Sequence, residues 1–419
     1  MVSTNPKVTA RPLLLAAAFF ALFGCDRGAG STATPPASAG APAASTVAPT
    51  PALSGSVSAA APPAPADDVS APPIDTETFA RLFRELSEPD RYFFSDNFVS
   101  NETSYLQVAP LLERKAMRGG AYLGVGPEQN FSYIAITRPS LAFIIDIRRQ
   151  NAIEHLLYKS IFDHAESRTA FLCTLLGTSC KASEDAGSEA SLETVLGHVE
   201  AAWKRRDKAE FSSLHGRLRD RIESQYRIAL STGDRETLMR VHRAFWSKGL
   251  SIAFELLSPE NRRTYPTLRQ LIESASPGGG ARNFLATEQD FRVIQRMQRE
   301  NRIIPVVGDF AGEHALGAIA AELRRRGLPV SVFYTSNVEQ YLVDPPKWKR
   351  WVQNVEALPT NEASLFLRCY LDQGRRHPQQ LEGHRTASVL QAFDHFRWKQ
   401  RSRGYTGFWQ LATDGVITE

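Results

Sequence analysis

The sequence predicts an α/β protein: a doubly wound, mostly parallel sheet with a large helical insertion. Three observations carry that prediction. Short continuous apolar runs such as Leu141-Ala142-Phe143-Ile144-Ile145 have the pattern of strands covered on both faces. Each run is followed by a segment of helical periodicity, and alternating strands and helices build parallel sheets. A mostly helical stretch, about residues 181–300, separates the second such strand from the third.

The elements follow in order. Ile74 to Leu86 is an amphipathic helix, with Ile74, Phe79, Leu82, Phe83 and Leu86 on one side and Asp75 as its N-cap. Tyr92-Phe93-Phe94-Ser95-Asp96-Asn97-Phe98 is a dense aromatic patch, and Ser100 to Leu112 reads as a helix. Gly120 to Gly126 is a buried strand running into a glycine turn, and Pro127-Glu128-Gln129-Asn130 opens the next helix. The second strand, Leu141 to Ile147, carries Asp146 near its carboxyl end, and a helix follows from about Gln150 to Leu176. Inside the insertion, Leu192–Trp203, Phe211–Leu230, Arg235–Trp246 and Gln289–Arg299 have helical spacing, and Ser276-Pro277-Gly278-Gly279-Gly280 is a loop. Strands return at Ile303–Asp309, Pro329–Tyr334 and Ser364–Tyr370, with helices at Glu313–Arg326 and Trp348–Leu358 between them. Thr386 to Lys399 reads as a final long helix.

Ahead of this domain the composition changes. Lys7 and Arg11 give a basic start, and Leu13 to Gly24 is an apolar run too short to span a bilayer. Residues 28–73 are almost wholly Ala, Pro, Ser, Thr, Gly and Val, without an aromatic residue, Lys or Arg. Such a tract cannot bury enough apolar surface to offset the entropy of ordering it. The expected organisation is a leader over residues 1–24, a disordered tether over 25–73 and one α/β domain over 74–419. Leu22-Phe23-Gly24-Cys25 resembles a bacterial lipobox. The resemblance implies cleavage before Cys25, acylation of that cysteine, and a domain held in the cell envelope on the inner or outer membrane. The alternatives are an ordinary secretory leader or a misassigned start codon. Several acyl chains anchor stably where one does not, and an Ala-Pro tether is stiffer than Gly-Ser.

The rest of the composition excludes more than it selects. Apolar residues make up 42% and charged residues 22%, which rules out a polytopic membrane protein or a fully disordered chain. Residues 74–419 hold 46 basic and 42 acidic residues, and no basic stripe interleaved with aromatics points to nucleic acid. Cys173 and Cys180 are either a disulfide or two buried thiols, and Cys369 belongs to an apolar strand. No zinc-ligand spacing occurs, so no metal is expected. Neither a Gly-x-Ser-x-Gly elbow nor a Gly-x-x-x-x-Gly-Lys-Ser/Thr loop is present, which disfavours α/β serine hydrolases and P-loop enzymes.

In doubly wound sheets, ligands sit beyond the carboxyl ends of the central strands. The residues expected there are Gly124, Gly126, Glu128, Gln129 and Asn130 at the first turn, Asp146 at the second, Asp309 and Phe310 at the third, and Tyr334 and Asn337 at the fourth. Glycines admit a ligand close to the backbone, and the helix N-terminus after Gly126 favours an anion. Asp146, 22 positions beyond Gly124, is placed to accept from ribose hydroxyls. The bland readings are a tight turn, helix caps, and pairing of the acids with Arg148 or Arg149.

This layout resembles the class I S-adenosylmethionine-dependent methyltransferase fold over roughly residues 118–150 and 300–372. It departs from it at Tyr122, where that family carries an acid, and at Glu128, where its third glycine falls. The phrase from Gly124 to Phe162 is also similar to an uncharacterised family of bacterial proteins. The resemblance implies S-adenosylmethionine as cofactor. A lipid-anchored domain would be starved of that molecule, which is made in the cytosol. Three functions are therefore expected in competition. They are a membrane-tethered binding protein on a methyltransferase-like scaffold, a cytosolic methyltransferase, and a structural envelope protein whose helical insertion binds a protein partner.

Overall fold

The computed structural model describes residues 71–180, 185–256, 265–372 and 374–418; the leader, Cys25 and the tract up to residue 70 lie outside the described residues. Helix α1 (Thr76–Glu85) starts where its N-cap puts it: Asp75 accepts from the Thr78 amide at 2.8 Å. A two-residue strand β1 (Ser95–Asp96) and helix α2 (Ala109–Lys115), entered through a 3₁₀ turn over Tyr105–Val108, precede the main sheet. Among the described residues, no helix is long and apolar enough to cross a membrane.

The main sheet has seven strands in the order β5-β3-β2-β6-β7-β8-β9. They are β2 (Ala121–Gly124), β3 (Leu141–Asp146), β5 (Ile303–Val307), β6 (Val330–Ser336), β7 (Leu365–Leu371), β8 (Thr386–Ala392) and β9 (Val416–Ile417). The first five in spatial order run parallel, in register from Ala142↔Ile303 to Phe333↔Phe366. Strands β2, β3 and β5 are buried at every residue, as continuous apolar strands under helices must be. The order reverses between β2 and β6, so the carboxyl ends of β2, β3, β5 and β6 face one crevice.

Helices α3 (Gln129–Thr137), α4 (Arg149–His164), α11 (Ala315–Arg326) and α12 (Pro345–Ala357) connect the parallel strands. Between α4 and β5 lie α5 (Arg168–Leu175), α6 (Leu192–Lys204), α7 (Lys208–Ser224), α8 (Thr232–Lys248), α9 (Leu268–Glu273) and α10 (Glu288–Arg299). The only strand described in that stretch, β4 (Glu255–Leu256), pairs with β1 rather than with the main sheet. Cys173 and Cys180 form a disulfide with Cα atoms 5.8 Å apart, and Cys369 is a buried thiol in β7.

Two expectations are corrected. The helix expected from Gln150 to Leu176 is two helices: Ala165 turns extended, and the Ser167 side chain caps a fresh start by accepting from the Ala170 amide at 3.1 Å. The helix expected from Thr386 to Lys399 is strand β8 followed by α13 (Phe393–Ser402). Residues Thr386 to Ala392 pair along their whole length with β7, antiparallel, and sheet packing overrides their local preference. A short helix α14 (Phe408–Thr413) and β9 then close the edge.

Candidate functional site

The turn after β2 is built by its own side chains. Gly126 holds φ at +82°, a left-handed geometry that glycine adopts without strain. The Asn130 amide donates to the carbonyls of Val125 (2.9 Å), Gly126 (3.1 Å) and Pro127 (2.8 Å), while the Tyr122 hydroxyl donates to its Oδ1 at 2.8 Å. A Cβ at Gly124 would lie 2.0 Å from that Asn130 oxygen. The space Gly124 leaves is therefore filled by Asn130.

Asp146 ends β3 and is held by its own neighbour. Arg148 donates from Nε to Oδ1 at 2.9 Å and from Nη2 to Oδ2 at 2.8 Å, and its backbone amide reaches Oδ1 at 3.0 Å. Both partners are nearly buried, and the guanidinium also donates to the Ser95 carbonyl at 2.9 Å and lies over the Phe93 ring. Both carboxylate oxygens thus already accept from nitrogen, Oδ1 twice and Oδ2 once, so a ribose would have to share Asp146 with Arg148. Asp309 accepts from the Ala311 amide at 2.9 Å and from Arg91 at 3.2 Å. Phe310 does not line the crevice: it is buried between Phe333 and Trp351, with ring centroids 5.0 and 5.4 Å away. Asn337 sits in the turn after β6 and accepts from the Ser336 hydroxyl at 3.3 Å. His314 contacts the Glu85 carbonyl at 2.7 Å.

One segment, residues 87–102, crosses the carboxyl ends of four strands in sheet order. At β5, the Glu88 amide donates to the Val307 carbonyl at 2.8 Å. The Glu88 carboxylate takes the N-terminus of α11, accepting from the amides of His314 (2.9 Å) and Ala315 (2.7 Å). At β3, the Arg91 amide donates to the Ile147 carbonyl at 3.0 Å. At β2, the Ser100 amide donates to Glu128 at 3.2 Å. At β6, Glu102 accepts from the Tyr334 hydroxyl at 2.6 Å, and Tyr334 in turn accepts from Gln129 at 3.0 Å. The crevice that a ligand would enter is strapped by the chain itself.

Beneath the strap lies a group of buried acids. Burial pushes the Glu128 carboxyl up to about 7. Burial also raises Glu102, and burial together with repulsion from Glu128 raises Glu154, so these two favour the neutral acid. Burial lowers His155 to about 4, and its Nε2 lies 2.9 Å from the Gly126 carbonyl. Among the described residues, one oxygen each of Glu102, Glu128 and Glu154, the Gln129 oxygen and both polar atoms of Asn151 are buried without a hydrogen-bond partner. Unpaired buried polar atoms are costly and mark positions where protons, water or ligand atoms belong. No group of three His, Cys, Asp or Glu side chains among the described residues is placed to hold a metal ion.

The structure thus joins Gly124, Gly126, Glu128, Gln129, Asn130 and Tyr334 at one point, puts Asp146 and Asp309 under arginines, and sends Phe310 into the core. Sequence reasoning missed Glu88, Glu102, Asn151 and Glu154. The signal for the last two was a polar stripe at Asn151, Glu154, His155 and Tyr158, spaced as one helix face.

Fold and site define a class: an α/β domain with a largely parallel sheet and a self-covered switch-point crevice. The chain belongs to the family defined by a domain of unknown function (DUF7790), which matches residues 97–408. No curated protein matches the chain. The first half of the strap, with Glu88 and Arg91, precedes the matched residues.

Proposed function

We propose that this is a lipid-anchored protein of the cell envelope, held through Cys25, whose methyltransferase-like domain faces the periplasm or exterior. The domain works as a binding or interaction module, not as a transferase. The observation behind this reading is the strap: residues 87–102 cover the strand ends, and Arg148 occupies the carboxylate a ribose would use. A domain outside the cytosol also has no supply of S-adenosylmethionine. Calorimetry of the full chain against S-adenosylmethionine and its demethylated product tests the binding half. No heat at millimolar ligand is expected, and a saturable heat lost in Asp146→Ala refutes it. Palmitate labelling in a bacterial host tests the anchor: label on the wild type that disappears in Cys25→Ser is expected, and an unlabelled wild type refutes it.

A second reading is methyl transfer at Gly124, Gly126, Asp146 and Asp309. Two observations favour it: the spatial order β5-β3-β2-β6-β7 follows that of doubly wound nucleotide-binding sheets, and Glu128 is tuned to about 7 beside the crevice. On this reading the strap opens to admit cofactor.

A further inference from the structure

Helices α12 and α13 concentrate the charge of the chain. Residues 344–358 and 393–403 hold seven basic and three acidic side chains, an excess of four that equals the formal net charge of +4 for the whole chain. Everything outside these two segments therefore balances. The two helices lie side by side: Trp348 Nε1 donates to Gln400 at 3.3 Å, and Glu356 is shared by Arg397 at 3.4 Å and Arg401 at 3.0 Å. Lys347, Lys349 and Arg403 are exposed and have no ion-pair partner among the described residues. Trp398, on α13, is 62% exposed, an unusual position for an indole. It borders a shallow cleft of about 530 Å³ with Asp394, Arg397, Arg401 and Ser402.

We propose that the α12/α13 face docks on a bilayer surface bearing anionic phospholipid headgroups. The charge excess supplies the complementarity. Lys347, Lys349, Arg401 and Arg403 face the phosphates, and Trp398 sits at headgroup depth, where an amphipathic ring is stable. The choice of a bilayer over other polyanions rests on the lipid-anchor reading. A tether fixed in the same membrane keeps this face at high effective concentration, so a weak contact suffices.

The full chain carrying Cys25→Ser, which has no acyl chains, is floated with phosphatidylcholine vesicles and with vesicles doped with phosphatidylglycerol. Flotation only with the doped vesicles, weakening as salt rises, is expected. Removing three charges in Lys347→Gln/Lys349→Gln/Arg403→Gln weakens it about a hundredfold, at roughly fivefold per charge, and Trp398→Ala weakens it separately. All sites are exposed, and an unchanged circular dichroism spectrum checks the fold. The proposal is overturned by equal flotation with both vesicle types, by a triple variant that floats like its parent, or by binding of a DNA duplex without vesicle binding. Palmitate labelling of the wild type separates the two ideas. A labelled wild type whose Cys25→Ser form ignores vesicles sinks the surface and leaves the anchor. Salt-sensitive flotation without any labelling sinks the anchor and leaves the surface.

Discussion

Replacing Asp146 by alanine separates a structural carboxylate from a ligand-binding one. Asp146 and Arg148 have side chains only 4% and 9% exposed and are joined by two side-chain hydrogen bonds of 2.8 and 2.9 Å. In Asp146→Ala, Nε and Nη2 of Arg148 lose the Asp146 carboxylate, while Nη1 keeps the Ser95 carbonyl. Breaking one side of a buried pair costs about 3–5 kcal/mol, most of it the desolvated charge left behind. For a domain of about 345 residues the unfolding entropy is roughly 0.7 kcal/mol/K, so Tm should fall by about 4–7 °C. Scanning calorimetry of the full chain reads this directly. Asp146→Ala/Arg148→Met removes both charges and should recover at least half of the loss. A single variant within about 1 °C of wild type would show that water already solvates the pair and that Asp146 is open to a ligand.

Three further predictions follow from the same interior. Gly124→Ala places a methyl group 2.0 Å from Asn130 Oδ1 and 2.7 Å from the Tyr122 ring, so a loss of about 1–3 kcal/mol is expected in urea titration, partly restored by Asn130→Ser. His215 and His242 face each other at 3.2 Å between Nδ1 atoms, with Arg219 and Arg243 nearby; burial holds them neutral, at about 4 and about 3. The unfolded chain binds protons first, so stability should fall on acidification from about 6.5 towards 4, and His242→Gln should flatten that limb of the Tm profile. Glu128 has the opposite sign: its raised value means stability present below about 4.5 is lost as pH rises through about 7, some 3 kcal/mol in all, and Glu128→Gln should be more stable than wild type at pH 8 but not at pH 4.

Strands β2, β3 and β5 were legible because each is a continuous apolar run ended or followed by Gly or Asp, a pattern that few other contexts produce. β8 was not, because Thr386-Ala387-Ser388-Val389-Leu390 has mixed polarity and leads straight into the helical Phe393–Ser402. Its identity depends on β7, a partner that local periodicity does not see. At the site, Gly124, Gly126, Asn130 and Tyr334 could be placed from strand ends alone. What fills the space between them could not, because Glu88, Ser100 and Glu102 come from a segment whose one regular element is the two-residue strand β1. The stripe of Asn151, Glu154, His155 and Tyr158 has the spacing of a solvated helix face. It lies inward because α5, α7, α8 and α10 pack around α4 and leave its residues 151–162 no solvent side.

Helix α1 is clamped at both ends. Below, the Ile74 amide donates to the Glu300 carbonyl at 2.9 Å and Asn301 donates to the Ile74 carbonyl at 2.7 Å. Above, three residues past its end, Glu88 takes the N-terminus of α11. The helix between is a strut about 15 Å long. Any force arriving along the N-terminal chain meets the Ile74 clamp first and must shear its two bonds before it can load the strut. Only then would the pull reach Glu88 and peel the strap from the strand ends, starting at β5. The covered crevice is therefore mechanically earthed at Ile74, and tension below the strength of that clamp leaves the acids beneath the strap undisturbed.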